Sequence, residues 1–267
     1  MVNDVIWSLF MGALQGATEF LPVSSSGHLL IFSSIQSIAS ADRLSFIAFL
    51  HLGTLVAVVF FVWNDVLSLF RSLKGLRSPV KSYSRIPEFR TLLYLITSTL
   101  VTGVLGLSLE SPVEKIFSNL SWIVGFFYLI LSTVLILSDR LEGKLRMDEM
   151  GFFRAILIGL LQSTAVLPGI SRSGVTIFAG LLLGLQRTDA LRYSFLLSIP
   201  ITAAAGLLKF DKQTLNISSV TAFLASMLVG LIALVILKRI TLMRRLSVFG
   251  YYCGALGIAV ILGVNLL

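Results

Sequence analysis

No charged residue falls between positions 220 and 237, and the eighteen side chains of that run are mostly apolar. A helix needs about 20 such residues to cross the hydrocarbon core of a bilayer. Comparable runs cover 44–61, 92–109, 122–137, 191–208 and 248–266, each with at most one charged residue. The chain is therefore expected to be an all-α polytopic membrane protein. Composition agrees: 13% of the residues are charged, against about a quarter in soluble domains, and the mean hydropathy is +0.95. The formal net charge of +8 does not point to nucleic acid, because the cations sit in short gaps between apolar runs, where the positive-inside rule places them. Cys253 is the only cysteine, so neither an internal disulfide nor a zinc-type Cys/His spacing is available. The apolar start carries Asn3 and Asp4 rather than a basic region, so no cleavable signal peptide is expected.

Charge sets the expected orientation. Arg71, Lys74, Arg77, Lys81, Arg85 and Arg90, interrupted by Pro79 and Pro87, read as a cytoplasmic loop; Arg140, Lys144 and Arg146 and later Lys238, Arg239, Arg244 and Arg245 read the same way. Glu110, Pro112 and Glu114 suit an external turn, and so does 209–219. Four apolar pieces are too short to span. Residues 5–14 and 29–38 flank one polar stretch, and 153–166 and 177–185 flank another. Each pair reads as two half-helices around a break, a re-entrant hairpin, tolerated at membrane depth only when buried in protein or lining a cavity. The expectation is six transmembrane helices plus two re-entrant helical hairpins, with both termini outside.

The first polar stretch runs Gln15-Gly-Ala-Thr-Glu19-Phe-Leu-Pro22-Val-Ser24-Ser25-Ser26-Gly27-His28. The second holds Gln162, Ser163 and Thr164, then Pro168-Gly169-Ile-Ser171-Arg172-Ser173-Gly174-Val-Thr176. A gapless shift of 147 residues lays Gly12 on Gly159, Gln15 on Gln162, Ser24 on Ser171, Ser26 on Ser173, Gly27 on Gly174 and Asp42 on Asp189. This suggests one integral membrane domain made of two repeats, about 1–138 and about 150–267. One hairpin plus three crossings per repeat is an odd count, so the repeats would have inverted topology. Such folds place the polar site near the midplane, where the repeats meet.

The residue types in the two stretches point to phosphate chemistry. Arg172 is a charge at membrane depth, which costs several kcal/mol and marks function. Ser171, Ser173 and Thr176 surround it with hydroxyls, and Gly169 and Gly174 let backbone approach closely, making an anion site at a helix start. Glu19 is the matching acid, and Gln15 shares its helix face; the two could hold a divalent cation, or Glu19 could take a proton. His28 follows Ser24, Ser25 and Ser26 and could activate a hydroxyl or attack phosphorus itself. Ser25 is chosen among the three, although residue chemistry alone does not separate them. His51 lies mid-span without such company and reads as structural. Asp42 and Asp189 begin spans, where capping suffices. A positively charged cradle, a nucleophile and a metal are the parts of phosphoryl transfer, and a site inside a lipid-embedded bundle suits a lipid phosphate.

At these residues the chain resembles the undecaprenyl-diphosphate phosphatase family, the bacitracin-resistance proteins, over nearly its whole length. The resemblance is carried by the Glu/Gln-x-x-x-Glu pattern at Gln15 and Glu19, by Pro-Val-Ser-Ser-x-Gly-His ending at His28, and by Pro-Gly-x-Ser-Arg-Ser-Gly from Pro168. It implies hydrolysis of undecaprenyl diphosphate to the monophosphate carrier and inorganic phosphate with a divalent cation, Mg²⁺ or Ca²⁺, in a fold of inverted repeats. Carried over by motif position, Glu19, His28 and Arg172 match residues that the family needs, with Ser25, Ser171, Ser173 and Thr176 around them. Gln15 departs from the Glu of many members, which shifts the weight of any metal site onto Glu19. The expected partners are a polyprenyl diphosphate lipid and the bilayer, with no nucleic acid and a homodimer as the candidate assembly. The expected place is the bacterial cytoplasmic membrane, with the site opening outward. A lipid flippase or transporter is the competing expectation, since broken helices serve transport too; a scaffold without a site leaves the burial of Arg172 and Glu19 unexplained.

Overall fold

The computed structural model describes residues 2–28, 40–117, 121–209, 211 and 214–263. Among them the only extended pairing is one isolated parallel bridge, Leu145 to Leu185, and all regular structure is helical. In chain order the α-helices are α1 (Val2–Phe20), α2 (Ser40–Phe61), α3 (Trp63–Ser72), α4 (Pro79–Arg85), α5 (Pro87–Phe117), α6 (Ser121–Ser138), α7 (Gly151–Ser163), α8 (Arg172–Leu182), α9 (Arg187–Leu208), α10 (Ile217–Leu242) and α11 (Ser247–Leu262). A further helical turn opens at 25–28. The half-helix expected at 29–38 lies outside the described residues, as does the Asp42 side chain.

Among the described residues, four helices are long and apolar enough to cross a membrane: Leu44–Phe61, Pro87–Val113, Arg187–Leu208 and Ile217–Leu242. They contain four of the six expected spans. The expected span at 122–137 falls in α6, and the described part of the one at 248–266 is α11 up to Leu262; these shorter apolar helices have 18 and 16 residues, about 27 and 24 Å of helix at 1.5 Å per residue. Phe60, Leu100, Val104, Leu208 and Ile232 are exposed on the outer faces, as lipid contact requires. The chain is a multi-pass membrane protein.

Three expectations are corrected. The half-helix expected at 5–14 runs on into the polar stretch. Nothing between Gln15 and Phe20 breaks a helix, so α1 continues for 19 residues and carries Gln15 and Glu19 on its last two turns. The first breaker is Pro22, whose ring would clash with the carbonyl four residues back; Ser24 then turns the chain with φ +66°. Nor is the basic segment a loop. It folds as α3, a 3₁₀ turn at Leu73–Arg77 and α4. Pro79 and Pro87 open α4 and α5 rather than interrupt structure, because proline lacks only an N–H that a first helical turn leaves unpaired. Asp189 is also not a cap: Gln186 holds that position, while Asp189 accepts from the Met147 N–H (2.9 Å) and the Gln186 amide (3.1 Å).

The second break follows the rules of the first. After α7 a 3₁₀ turn, Thr164–Val166, tightens the end. Leu167, before Pro168, is extended at ψ 126°, as residues preceding proline must be. Gly169 takes φ +97°, and α8 begins at Arg172.

Packing brings the breaks together. α1 packs along α10, and α7 along α5; α6 pairs with α11, and α2 lies against α9 and α10. Glycines allow close approach in the α1–α10 and α5–α7 pairs. A Cβ at Gly12 would sit 2.2 Å from the Ala222 carbonyl oxygen of α10, and one at Gly159 would sit 2.8 Å from that of Ser98 in α5. Buried Phe20, Val58, Tyr94, Ile158, Ile177, Leu197 and Leu234 form the main core, and Val23, Val124, Tyr128, Leu131, Leu135 and Cys253 a second one beside the first break.

Candidate active site

Arg172 is the first residue of α8, and Glu19 sits one residue before the end of α1. The second break lies against the first: a Cβ on Gly174 would come within 3.2 Å of Pro22. In this setting Arg172 Nη2 donates to Glu19 Oε1 at 2.7 Å, across 153 residues of sequence. The carboxylate is 8% exposed. An uncompensated charge at such a place is costly, and the guanidinium is what makes burial tolerable.

The second carboxylate oxygen of Glu19 gathers two donors. Gln15 Nε2 donates at 3.0 Å and Ser25 Oγ at 3.0 Å. Gln15 Nε2 is also 2.8 Å from His51 Nδ1. The amide nitrogen, not its oxygen, must face Glu19, since two acceptor oxygens would repel there. It gives one N–H to Glu19 and one to His51, leaving Gln15 Oε1 buried without a donor among the described residues. His51 Nδ1 lies 3.4 Å from Glu19 Oε2, so the residue expected to be structural belongs to this cluster. Its place was hidden because α2 reads as apolar on every side.

The hydroxyls have distinct partners. Ser24 Oγ accepts from the Gly27 N–H at 3.4 Å and lies 3.3 Å from Ser26 Oγ. Ser171 Oγ accepts from the Gly174 N–H at 3.3 Å and lies 3.1 Å from Ser173 Oγ. Ser24 and Ser171 thus cap the helices that leave the two breaks. Thr176 turns away from the guanidinium; its hydroxyl bonds the Arg172 carbonyl (2.9 Å) and Ser194 Oγ (2.6 Å). Gly169 packs its α-carbon against α6, where a Cβ would meet the Val124 carbonyl oxygen at 2.7 Å.

His28 is buried beside this cluster but hydrogen-bonded elsewhere. Nδ1 is 2.9 Å from the Ser24 carbonyl and 3.3 Å from Tyr128 Oη, and Nε2 is 2.6 Å from Tyr252 Oη. The serine hydroxyl facing a base is therefore Ser25, and its partner is Glu19 rather than His28. Tyr128 and Tyr252 were not legible from sequence, since both lie in uniformly apolar helices. A cavity of about 420 Å³ lined by Asp65, Glu88, Asp148, Asp189 and Arg192 lies apart from these residues.

The arrangement contains an acid paired with a hydroxyl, a fixed cation on the acid's other oxygen, and a buried imidazole close by. Together they form a nucleophile–base pair next to a positively charged group. Comparison with known proteins gives the same direction. The family described as "Bacitracin resistance protein BacA" matches residues 8–259. A protein of Thermosipho africanus named "Undecaprenyl-diphosphatase" is 42% identical over 245 residues, 92% of this chain and 94% of its own. One of the same name from Methanosphaera stadtmanae is 38% identical over 97% of this chain and 98% of its own, and one from Methanococcus maripaludis is 39% identical over 92% and 94%. With most of its length matched in this way, the chain belongs to the bacitracin resistance protein BacA family.

Proposed function

We propose that the protein hydrolyses undecaprenyl diphosphate to undecaprenyl phosphate and inorganic phosphate. This activity recycles the lipid carrier for peptidoglycan synthesis and confers resistance to bacitracin. The observation that carries it is the chain of bonds from Arg172 through Glu19 to Ser25 inside a membrane-embedded bundle. A diphosphate anion meeting Arg172 competes with Glu19 for the guanidinium and leaves the carboxylate free to act as base. Ser25 Oγ then attacks the terminal phosphorus and gives its proton to Glu19. The bridging P–O bond breaks and lipid monophosphate leaves, its oxygen taking the proton from Glu19, with Arg172 neutralising charge on the oxygens. Water, deprotonated at the regenerated Glu19 carboxylate or at Nε2 of His28, then attacks the phosphoserine; the Ser25 P–O bond breaks, the same base returns its proton to Ser25 Oγ, and inorganic phosphate is freed.

The residues present fit a lightly held divalent cation. Gln15 Oε1 is a buried oxygen lacking a donor, and Glu19 is an adjacent carboxylate. No cluster of three or more His, Cys, Asp or Glu occurs among the described residues, so Glu19 and Gln15 would share the ion with substrate phosphate oxygens, the usual mode for Mg²⁺. When bound, it supplies further neutralisation of phosphate charge.

The fold is read as an inverted repeat with six crossings and two re-entrant hairpins, in the cytoplasmic membrane, the site opening outward. Three features support the repeat. α2 and α9, Ser40–Phe61 and Arg187–Leu208, coincide under the 147-residue shift. The Ser24 and Ser171 caps coincide too, and α1 packs on α10 as α7 packs on α5. Phosphate release in detergent tests the function: purified protein given a polyprenyl diphosphate and Mg²⁺ or Ca²⁺ is expected to free inorganic phosphate. A protein that only carried the lipid would release none, and that result refutes the proposal.

A further inference from the structure

The segment from α3 to α4 carries two parallel stripes. Phe70, Leu73, Leu76 and Val80 are exposed, Phe70 by 70% and Val80 by 86%. Each is followed directly by an exposed cation: Arg71, Lys74, Arg77 and Lys81, with Arg85 beyond. Through the 3₁₀ turn Leu73–Arg77, side chains three apart eclipse, so Leu73 and Leu76 line up beside Lys74 and Arg77. None of these five cations has a salt bridge to a described carboxylate. The single acid between 63 and 86, Asp65, is held by Arg192. The segment is also clamped in place. Gly75 seats against Phe89, where a Cβ would come within 2.7 Å of the ring; Tyr83 Oη bonds Tyr94 Oη at 2.8 Å, and Arg90 donates to the Tyr83 carbonyl.

We propose that this collar is a docking surface for anionic phospholipid headgroups. It lies in the plane of one leaflet boundary, its apolar stripe in the acyl region and its cations among the phosphates. The choice of occupant rests on charge: five unpaired cations beside an apolar stripe at the edge of a membrane bundle favour a negatively charged lipid over a zwitterionic one. In vesicles of phosphatidylcholine with phosphatidylglycerol as the minor component, spin-labelled phosphatidylglycerol should be immobilised by the protein at least about threefold more than spin-labelled phosphatidylcholine. In the variant R71Q/K74Q/R77Q/K81Q/R85Q the preference should fall to about one. Equal immobilisation of both lipids by the unaltered protein, or a preference that survives in the variant, overturns the proposal.

A separate observation assigns a role to Tyr252, and it rests on the participation of His28 in the reaction. The Ser24 carbonyl 2.9 Å from His28 Nδ1 can only accept, so Nδ1 carries the ring proton. Nε2 of the neutral ring is then the basic nitrogen, and Tyr252 Oη donates to it at 2.6 Å. We infer that Tyr252 is a positioning residue that, with the Ser24 carbonyl fixing the Nδ1–H tautomer, holds the ring so that Nε2 is ready to receive a proton. Nitrogen-15 NMR of histidine-labelled protein, with His28 identified by the signal lost in His28→Asn, should show Nδ1 protonated and Nε2 bare. Tyr252→Phe should leave Nδ1 protonated, shift the Nε2 resonance as its hydrogen bond is lost, and lower kcat about tenfold with KM unchanged. A bare Nδ1 in the unaltered protein, or full kcat in Tyr252→Phe, overturns the inference. Full activity in His28→Asn instead removes His28 from the reaction, and the NMR result still decides the tautomer.

Discussion

Arg172→Ala has a consequence for stability that can be separated from its effect on activity. The guanidinium is the cation 2.7 Å from a carboxylate that is 8% exposed. Removing it leaves Glu19 charged and buried, with the neutral Gln15 and Ser25 donors still in place. Breaking a buried pair from one side costs about 3–5 kcal/mol, mostly from the stranded charge. Glu19→Gln added to Arg172→Ala removes that charge, so the double variant should recover about 2 kcal/mol or more of the loss. Activity should behave differently. Losing one group that stabilises transition-state charge lowers kcat about 10²–10³-fold, and the double variant, lacking the base too, should be no better than either single one. Thermal unfolding in detergent gives the stability cycle, and phosphate release gives the rates. Stability losses that simply add, or a double variant that regains activity, would refute the pairing and its role.

Other outcomes follow from the same geometry. Gly12→Ala should destabilise by about 1–3 kcal/mol, because its Cβ would meet the Ala222 backbone oxygen at 2.2 Å; Gly103→Ala, with nothing within 4 Å of the new carbon, should be neutral or stabilising by about 0.5–1 kcal/mol, both read by thermal unfolding. Ser171→Ala should cost about 1 kcal/mol as a lost helix cap, and Ser171→Gly less, measured the same way; equal losses would contradict the capping role. Chelation with EDTA should suppress phosphate release and added Mg²⁺ or Ca²⁺ should restore it; undiminished release in EDTA would remove Glu19 and Gln15 from metal binding.

The meeting of Glu19 and Arg172 was legible in the chain because each is a charge that lipid would reject, and the cheapest remedy for both is the other. The breaks were legible through Pro22, Pro168 and Gly169, which act locally. The end of α1 was less so: the apolar run stops at Leu14, yet polar side chains do not end a helix, and Pro22 does. The α3–α4 collar looked like a loop because its cations mask the recurrence of Phe70, Leu73 and Leu76, which follows a three-residue rather than a 3.6-residue period. His51, Tyr128 and Tyr252 left no signal. Each stands in a helix apolar on all sides, so no face marks the interior, and their roles come only from which helices tertiary packing brings together.

The claim that Glu19, Ser25 and Arg172 form the reaction centre is tested most directly by rapid acid quenching with a polyprenyl diphosphate labelled in its terminal phosphate. The expected result is label bound covalently to Ser25 before inorganic phosphate appears, and absent in Ser25→Ala. Label on His28, or steady phosphate release with full rate in Ser25→Ala, would contradict it.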